Sequence, residues 1–592
     1  MTRPTGTHTL AAVLRLPVAL LAAALLTLVF AAPASASTSG VPRTVEERIE
    51  VPAGPGQDGA IALDTTLYLP ATTPAPAVLV AHGFGGTKAS VDADARALVD
   101  RGFVVLAWTA RGFGASGGQI TLDSPDHEVA DARALVDRLA ARPEVVQDGP
   151  GDPRVGVTGG SYGGALALLL AGYDPRVDAL VPVITWNDLG QALFPNAAAA
   201  PGTLPVDTPA RGSFAPDGVF KRGWAGVFFS AGLAPGGGPR GAVEGAVEEA
   251  TSPADDAANG GVPTTCGRFA PALCAAYTEA ATTGRLSPTT AELLRRSSPA
   301  SVADRITAPT LLVQGEADTL FGLEQADATA RQIAAAGGTV RVLWYGGGHD
   351  GGAPDQRVRD AIGEWFDHWL AGDGDDPGTS FDYTVASGVR TGGDTPTSRT
   401  VEAPAYPGLA GTPAVSTQPL PLDGDPQVAL VPPGGSPAAI TSLPGLGGAL
   451  GNVGNRVAAF TAELPGQSAV FRTAPVDAPL LVAGAPRVGL TVARVPGQAV
   501  QETGPDEAVL FGKVYEVTAD GTRTLLGGAV APLRVRVPAD GSAARISVTL
   551  PGVVAPIEAG NRLMVSVGTT DQGYTGTTTP TAWRIGIDGP GG

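Results

Sequence analysis

Arg154-Val155-Gly156-Val157-Thr158-Gly159-Gly160-Ser161-Tyr162-Gly163 runs directly into Gly164-Ala165-Leu166-Ala167-Leu168-Leu169-Leu170-Ala171. A strand-like stretch, a turn of small residues and a helix-like stretch follow one another without a gap. That order fits a nucleophile elbow, in which glycines let the chain reverse sharply and hold one serine hydroxyl exposed above a sheet. In a chain with 82 glycines the bare Gly-x-Ser-x-Gly pattern says little. The strand before it and the helix after it give it weight.

Working outward, Ala77-Val78-Leu79-Val80-Ala81 is a short apolar run leading into His82-Gly83-Phe84-Gly85-Gly86. Phe103 to Trp108 is another such run, and Val91–Asp100 and residues 126–140 carry helical spacing. The alternation resumes with Thr310 to Gln314, helix 322–336, strand 340–345 and an amphipathic helix over 355–370. Buried strands separated by helices predict a parallel sheet covered on both faces. The expected fold is an α/β-hydrolase with a helical cap insertion, followed by a C-terminal β-sandwich.

The expected boundaries are 43–185 and 300–370 for the hydrolase, 186–299 for the cap, 371–380 for a Gly/Asp/Pro linker and 381–592 for the sandwich. In that last region short Val/Thr/Leu-rich runs at 427–432, 456–464, 487–496, 506–518, 530–537, 544–550 and 561–569 alternate with Pro/Gly turns. The 592 residues exceed what one hydrophobic core normally organises, which agrees with several folding units.

A serine hydroxyl is a poor nucleophile, so it needs an imidazole to accept its proton and a carboxylate to orient that imidazole. In this fold the partners follow in the order serine, acid, histidine, each after a strand. The late strands end at Gly315-Glu316-Ala317-Asp318 and at Gly346-Gly347-Gly348-His349. Of the five histidines, His349 alone follows a late strand on a glycine run. Ser161, Asp318 and His349 are therefore the expected catalytic residues, with Glu316 as the alternative acid and Asp350 read as a cap of the following loop.

The oxyanion donors are expected from the Tyr162 N–H, directly after the nucleophile, and the Phe84 N–H in the His82-Gly83-Phe84 loop. His82 reads as an anchor of that loop. Arg111-Gly112-Phe113-Gly114-Ala115-Ser116-Gly117-Gly118 lacks the spacing and the Lys-Ser/Thr of a phosphate loop and reads as a turn fixed by Arg111. Ser116 is the rival nucleophile by composition, but no helix follows it. Trp186, Trp224, Phe228 and Phe229 are candidates for the substrate pocket.

The amino terminus carries Arg3 and Arg15, an apolar run from Leu16 to Ala32 and Ala34-Ser35-Ala36, the three regions of a secretory signal peptide spanning 1–36. Export with cleavage after Ala36 is expected, with no stable membrane anchor. Losing the two arginines takes the formal charge from -18 to -20, which argues against nucleic acid as a partner. Cys266 and Cys274 are the only cysteines, and in an oxidising compartment they are expected to clip one local loop as a disulfide and not to bind metal. No metal or organic cofactor is required. Homo-oligomerisation is left open.

These residues together resemble the Xaa-Pro dipeptidyl-peptidase and cocaine-esterase group of α/β-hydrolases. The elbow, the Arg111 to Gly117 stretch, Asp318, His349 and the domain order carry the resemblance over nearly all of the chain beyond the leader, and by this resemblance the C-terminal sandwich is expected to be a jelly roll. It implies a secreted serine hydrolase acting on a small peptide, ester or amide: a dipeptidyl-peptidase, or an α-amino-acid or aromatic ester hydrolase without dipeptidase activity. Two positions depart from the group: Thr109-Ala110 replaces its usual aspartate before Arg-Gly, and no tyrosine stands in the first loop as an oxyanion donor. A dipeptidase would need an anion in the cap, where Glu244, Glu248 and Glu249 lie. A carbohydrate- or wall-binding protein with an inactive hydrolase domain is the alternative from a different class.

Overall fold

The computed structural model describes residues 38–201, 218–233, 266–350, 352–389, 396–441, 463–495 and 506–588. The leader, Glu244, Glu248, Glu249 and the expected strand residues 456–462 lie outside them. Among the described residues no helix is long and apolar enough to cross a membrane.

Ten strands form the hydrolase sheet: β1 (Arg43–Pro52), β2 (Ala60–Leu69), β3 (Ala77–Ala81), β4 (Val104–Trp108), β5 (Val155–Gly160), β6 (Val177–Val183), β7 (Thr310–Gly315), β8 (Val340–Tyr345), β9 (Phe381–Val389) and β10 (Pro396–Ala403). Their spatial order is β10-β9-β8-β7-β6-β5-β3-β4-β2-β1. From β4 to β9 all neighbours are parallel, while β1, β2 and β10 add antiparallel edges. The central strands are buried along their whole length, as a sheet covered on both faces requires.

Helices α1 (Asp92–Asp100), α2 (Glu128–Ala140), α3 (Tyr162–Tyr173), α4 (Arg222–Leu233), α5 (Pro271–Thr283), α6 (Pro288–Arg296), α7 (Leu323–Ala335) and α8 (Gln356–Phe366) follow in chain order. One face of the sheet packs on α2, α3 and α7 through Leu135, Val136, Leu168 and Ile333. The other packs on α1 and α8 through Leu98, Val99, Val358 and Trp365. Because β3, β5, β7 and β8 are parallel, the segments after all four open on the same edge of the sheet. That shared edge is what can gather residues from 82, 161, 318 and 349.

One boundary moves. Residues 381–403, expected to open the sandwich, instead form β9 and β10 and extend the hydrolase sheet. The edge of β8 needs partners for its main-chain groups, and Phe381 supplies apolar cover by meeting Trp344 edge-on at 4.7 Å. Arg341 pairs with Asp382 at 2.9 Å across the same seam. A strand-rich composition does not say which sheet a strand will join.

The sandwich proper has a sheet of Gln427–Val431, Thr581–Ile587, Arg487–Arg494 and Ala544–Thr549, and a second built on Ser468–Thr473, Arg562–Gly568, Glu507–Val517 and Ala531–Arg536. Their inner faces share a core with Phe471, Leu490, Leu510, Val548 and Ile585 fully buried. Ala198 and Ala199, from the segment before the cap helices, add a short edge strand to the first sheet. The two domains are therefore stitched together near the cap.

Candidate active site

Ser161 stands between β5 and α3 with φ 55° and ψ −114°, a positive φ that a residue with a side chain adopts at a cost of about 1–3 kcal/mol. Its neighbours explain how this is held. A Cβ at Gly159 would lie 2.6 Å from the Ala81 carbonyl oxygen, and one at Gly163 would lie 2.4 Å from the same atom. Only glycines let α3 press against the end of β3. The Ser161 N–H donates to Val183 O at 2.8 Å, and its carbonyl accepts from Thr185 Oγ1 at 2.8 Å. Main chain on both sides thus over-determines the turn.

His349 reaches this serine from the segment after β8, with Nε2 2.9 Å from Ser161 Oγ. Its Nδ1 lies 2.6 Å from Asp318 Oδ2, and the Asp318 side chain is buried. The other carboxylate oxygen, Oδ1, accepts the N–H groups of Leu320 at 2.9 Å and Phe321 at 2.8 Å. Gly348 has φ +138°, and a Cβ there would strike Asp318, so the glycine run is what lets the histidine lie against the acid. The imidazole sits between two aromatic edges, Phe321 at 5.3 Å and Trp224 at 5.8 Å.

The loop after β3 passes over the elbow: a Cβ on Gly83 would come 3.5 Å from Gly160 O and 3.8 Å from Ser161 Cβ. His82 pins that loop. Its Nε2 accepts the Ala110 N–H at 2.9 Å and its Nδ1 meets Gly83 O at 2.7 Å, which fixes a neutral ring with its proton on Nδ1. Burial pushes its pKa down to about 4 and keeps it neutral. Tyr162 opens α3, so its N–H has no acceptor within the helix.

Beyond Ser161 a cavity runs under the cap. Phe84, Trp186, Phe228 and Phe229 line it, joined by Leu122, Phe269, Leu273, Tyr277 and Phe321, none of which the sequence had singled out. No charged side chain is among the described lining residues. Trp224 is not on this wall; its ring covers His349 instead, and its indole N–H donates to Thr319 Oγ1 at 3.2 Å. Cys266 and Cys274 are disulfide-bonded, closing the loop that carries Phe269 and Leu273 onto the cavity wall.

Residues 58–350 match the model of the X-Pro dipeptidyl-peptidase (S15) family. The catalytic part of this chain belongs to that family. It is a hydrolytic enzyme of the serine-hydrolase type. Among solved structures, an α-amino acid ester hydrolase is similar with a TM-score of 0.57 at 15% identity, covering 92% of this chain and 94% of that one. An aminopeptidase from the marine sediment archaeon Thaumarchaeota archaeon gives 0.56 at 14%, over 91% and 94%. A CocE/NonD family hydrolase from Staphylococcus aureus gives 0.55 at 13%, over 93% and 95%. At such identities the likeness is one of fold. An uncharacterized protein of Pseudomonas aeruginosa is 36% identical over 126 residues, 20% of this chain and 33% of that relative's length.

In this S15 hydrolase the competing residues are engaged elsewhere. Glu316, the alternative acid, accepts the Thr384 N–H at 2.7 Å on the far side of the sheet edge. Asp350 was expected to cap the loop after it, but its Oδ2 accepts the Thr319 N–H at 3.2 Å and the Thr319 hydroxyl, bracing the segment that carries Asp318. Ser116 donates to Thr109 O at 2.6 Å and accepts the Asp64 N–H, so its hydroxyl serves the turn. Arg111 forks onto Asp131 at 2.7 and 2.6 Å and donates to Ala53 O, the loop-fixing part expected of it.

Proposed function

We propose that this enzyme cleaves carboxylic esters, and amides of the same acyl groups, whose acyl part is bulky, apolar and uncharged. Ser161 attacks the carbonyl carbon while His349 Nε2 takes the hydroxyl proton. Asp318 holds the ring with Nδ1–H toward its carboxylate and stabilises the imidazolium that forms. The tetrahedral oxyanion is received by the N–H groups of Tyr162 and Phe84. Collapse passes the proton from His349 to the leaving alcohol or amine. A water activated by the same nitrogen then releases the acid and restores Ser161.

The observation that carries the chemistry is the imidazole of His349 bridging Ser161 Oγ at 2.9 Å and Asp318 Oδ2 at 2.6 Å. The substrate class rests on the cavity, whose described wall is aromatic and aliphatic. Among the described lining residues no carboxylate would replace the hydration that a free amino terminus loses on entering, a cost of several kcal/mol. Dipeptide release after proline is the second reading, favoured by the family match. Export after cleavage at Ala36 belongs to the same proposal, and the Cys266–Cys274 disulfide agrees with an oxidising compartment.

A fluorophosphonate should label the protein, and Ser161→Ala should abolish the label. On p-nitrophenyl esters from acetyl to hexanoyl, kcat/KM should rise roughly fourfold per added methylene, the equivalent of about 0.8 kcal/mol of burial each. Preference for Ala-Pro-arylamide over every ester would overturn the substrate class and leave the serine chemistry standing.

A further inference from the structure

Lys221 lies just before α4, in the cap, and is fully enclosed apart from 8% of its surface. Its ammonium donates to Thr319 O at 3.1 Å and to Leu320 O at 2.9 Å. These two carbonyls belong to the peptide units whose N–H ends, on Leu320 and Phe321, donate to Asp318 Oδ1. The ammonium and the carboxylate therefore hold opposite ends of the same two peptide dipoles. Each such unit is polarised by both partners, and hydrogen bonds in series strengthen one another. An ammonium buried this deeply is costly unless it is hydrogen-bonded or paired, and these two carbonyls supply acceptors for it.

The anchoring of Lys221 is equally specific. On either side of it, Phe220 O accepts the Thr575 N–H at 2.9 Å, Arg222 Nε donates to Gln572 O at 3.1 Å, and the Gly223 N–H donates to Gly573 O at 3.0 Å. The turn at 572–575 belongs to the C-terminal sandwich. One turn further along, Trp224 covers the His349 ring and bonds Thr319.

We propose that Lys221 is a positioning residue through which the C-terminal sandwich holds the Asp318 segment and biases the Asp318–His349 pair electrostatically. The inference rests on the triad reading above. The charged and titratable groups facing Lys221 are Glu324 on α7, Asp318 and Asp350. Tyr574 from the sandwich faces Asp571, Glu324 and Asp350. Burial lowers the Lys221 pKa while these three carboxylates oppose that shift. A positive charge relayed to Asp318 disfavours the imidazolium, so removing it makes His349 easier to protonate.

The test compares Lys221→Met and Lys221→Gln in the full chain on one ester, with thermal melts as the fold control. For Lys221→Met, kcat should fall roughly 10- to 100-fold, as expected of a misplaced catalytic group, with KM within about twofold because Lys221 does not line the cavity. The acid limb of kcat/KM, which reports His349 in the free enzyme, should move up by about half to one pH unit. Lys221→Gln, which keeps a donor without charge, should recover part of kcat with the limb still displaced.

Wild-type kcat in Lys221→Met, or a loss of kcat with the limb unmoved, would overturn the inference. If Lys221→Met does not fold, wild-type kcat or an unmoved limb in Lys221→Gln overturns it instead. Fluorophosphonate labelling of the wild type separates the two levels of failure: no label at Ser161 sinks the triad reading, whereas a labelled wild type with unaffected variants sinks only the role of Lys221.

Discussion

Gly163→Ala should cripple turnover while leaving a folded protein. The added Cβ would lie 2.4 Å from Ala81 O, 2.7 Å from Ala81 C and 2.9 Å from Ala81 Cβ. These atoms belong to β3, which is held on both sides by the β4 and β5 ladders and has no room to yield. Restoring ordinary contact requires the first turn of α3 to withdraw by about 1 Å. That turn carries Ser161 and the Tyr162 N–H, while the chain leaving Ala81 carries Phe84. The withdrawal therefore opens the gap between the Tyr162 and Phe84 N–H groups proposed to receive the oxyanion and shifts Oγ against His349. A displacement of about 1 Å at a reacting centre costs roughly 100-fold in rate, or about 2.7 kcal/mol. The overpacking itself should cost about 1–3 kcal/mol of stability.

The assay is kcat and the fluorophosphonate inactivation rate on a short ester, beside a urea melt. Gly160→Ala serves as the control, because a Cβ at Gly160 meets nothing within 4 Å. It should stay within about threefold of wild type, as substitutions in open space do. Equal activity of the two variants would show that catalysis does not depend on the close approach of α3 to β3.

Glu316 is pushed up to about 7 by burial, against the opposing Thr384 N–H and Arg357. A carboxyl whose native pKa is raised contributes stability that is full below its unfolded value of 4.5 and is lost as pH rises through about 7. Between about pH 5 and 8 the wild type should lose more stability than Glu316→Gln in urea melts, and the variant should still label at Ser161. Equal pH slopes would refute the burial argument. Reduction of Cys266–Cys274 should raise KM severalfold for hexanoyl esters and leave acetyl esters nearly untouched, because the bridge closes the loop bearing Phe269 and Leu273. Uniform loss on both esters would show that the bridge serves folding alone.

The elbow, the parallel alternation and the partners of Ser161 were legible in the chain because each rests on local signals. A glycine beside a serine, an apolar run of strand length and a polar residue just past its end are all adjacent in sequence. Parallel strands then oblige those ends to share one edge, so Asp318 and His349 could be picked out across long separations. Phe269 and Tyr277 escaped notice because an aromatic in a cap can serve the core or the cavity with the same local pattern, and Phe321 because nothing local marks a side chain past the Asp318 turn as facing the cavity. Trp224 was singled out for the wall and came to cover the histidine for the same reason.

By itself, then, the sequence determined the type of sheet and singled out Ser161, Asp318 and His349, which the structure brings together, since these follow from short-range chemistry repeated at strand ends. Only the tertiary structure decided that 381–403 completes the hydrolase sheet, that Asp350 braces the Asp318 segment, and that Lys221 reaches its carbonyls from the cap. Those outcomes depend on which distant surfaces meet, and a buried lysine or an edge strand carries no mark along the chain of the partner that will neutralise or pair it.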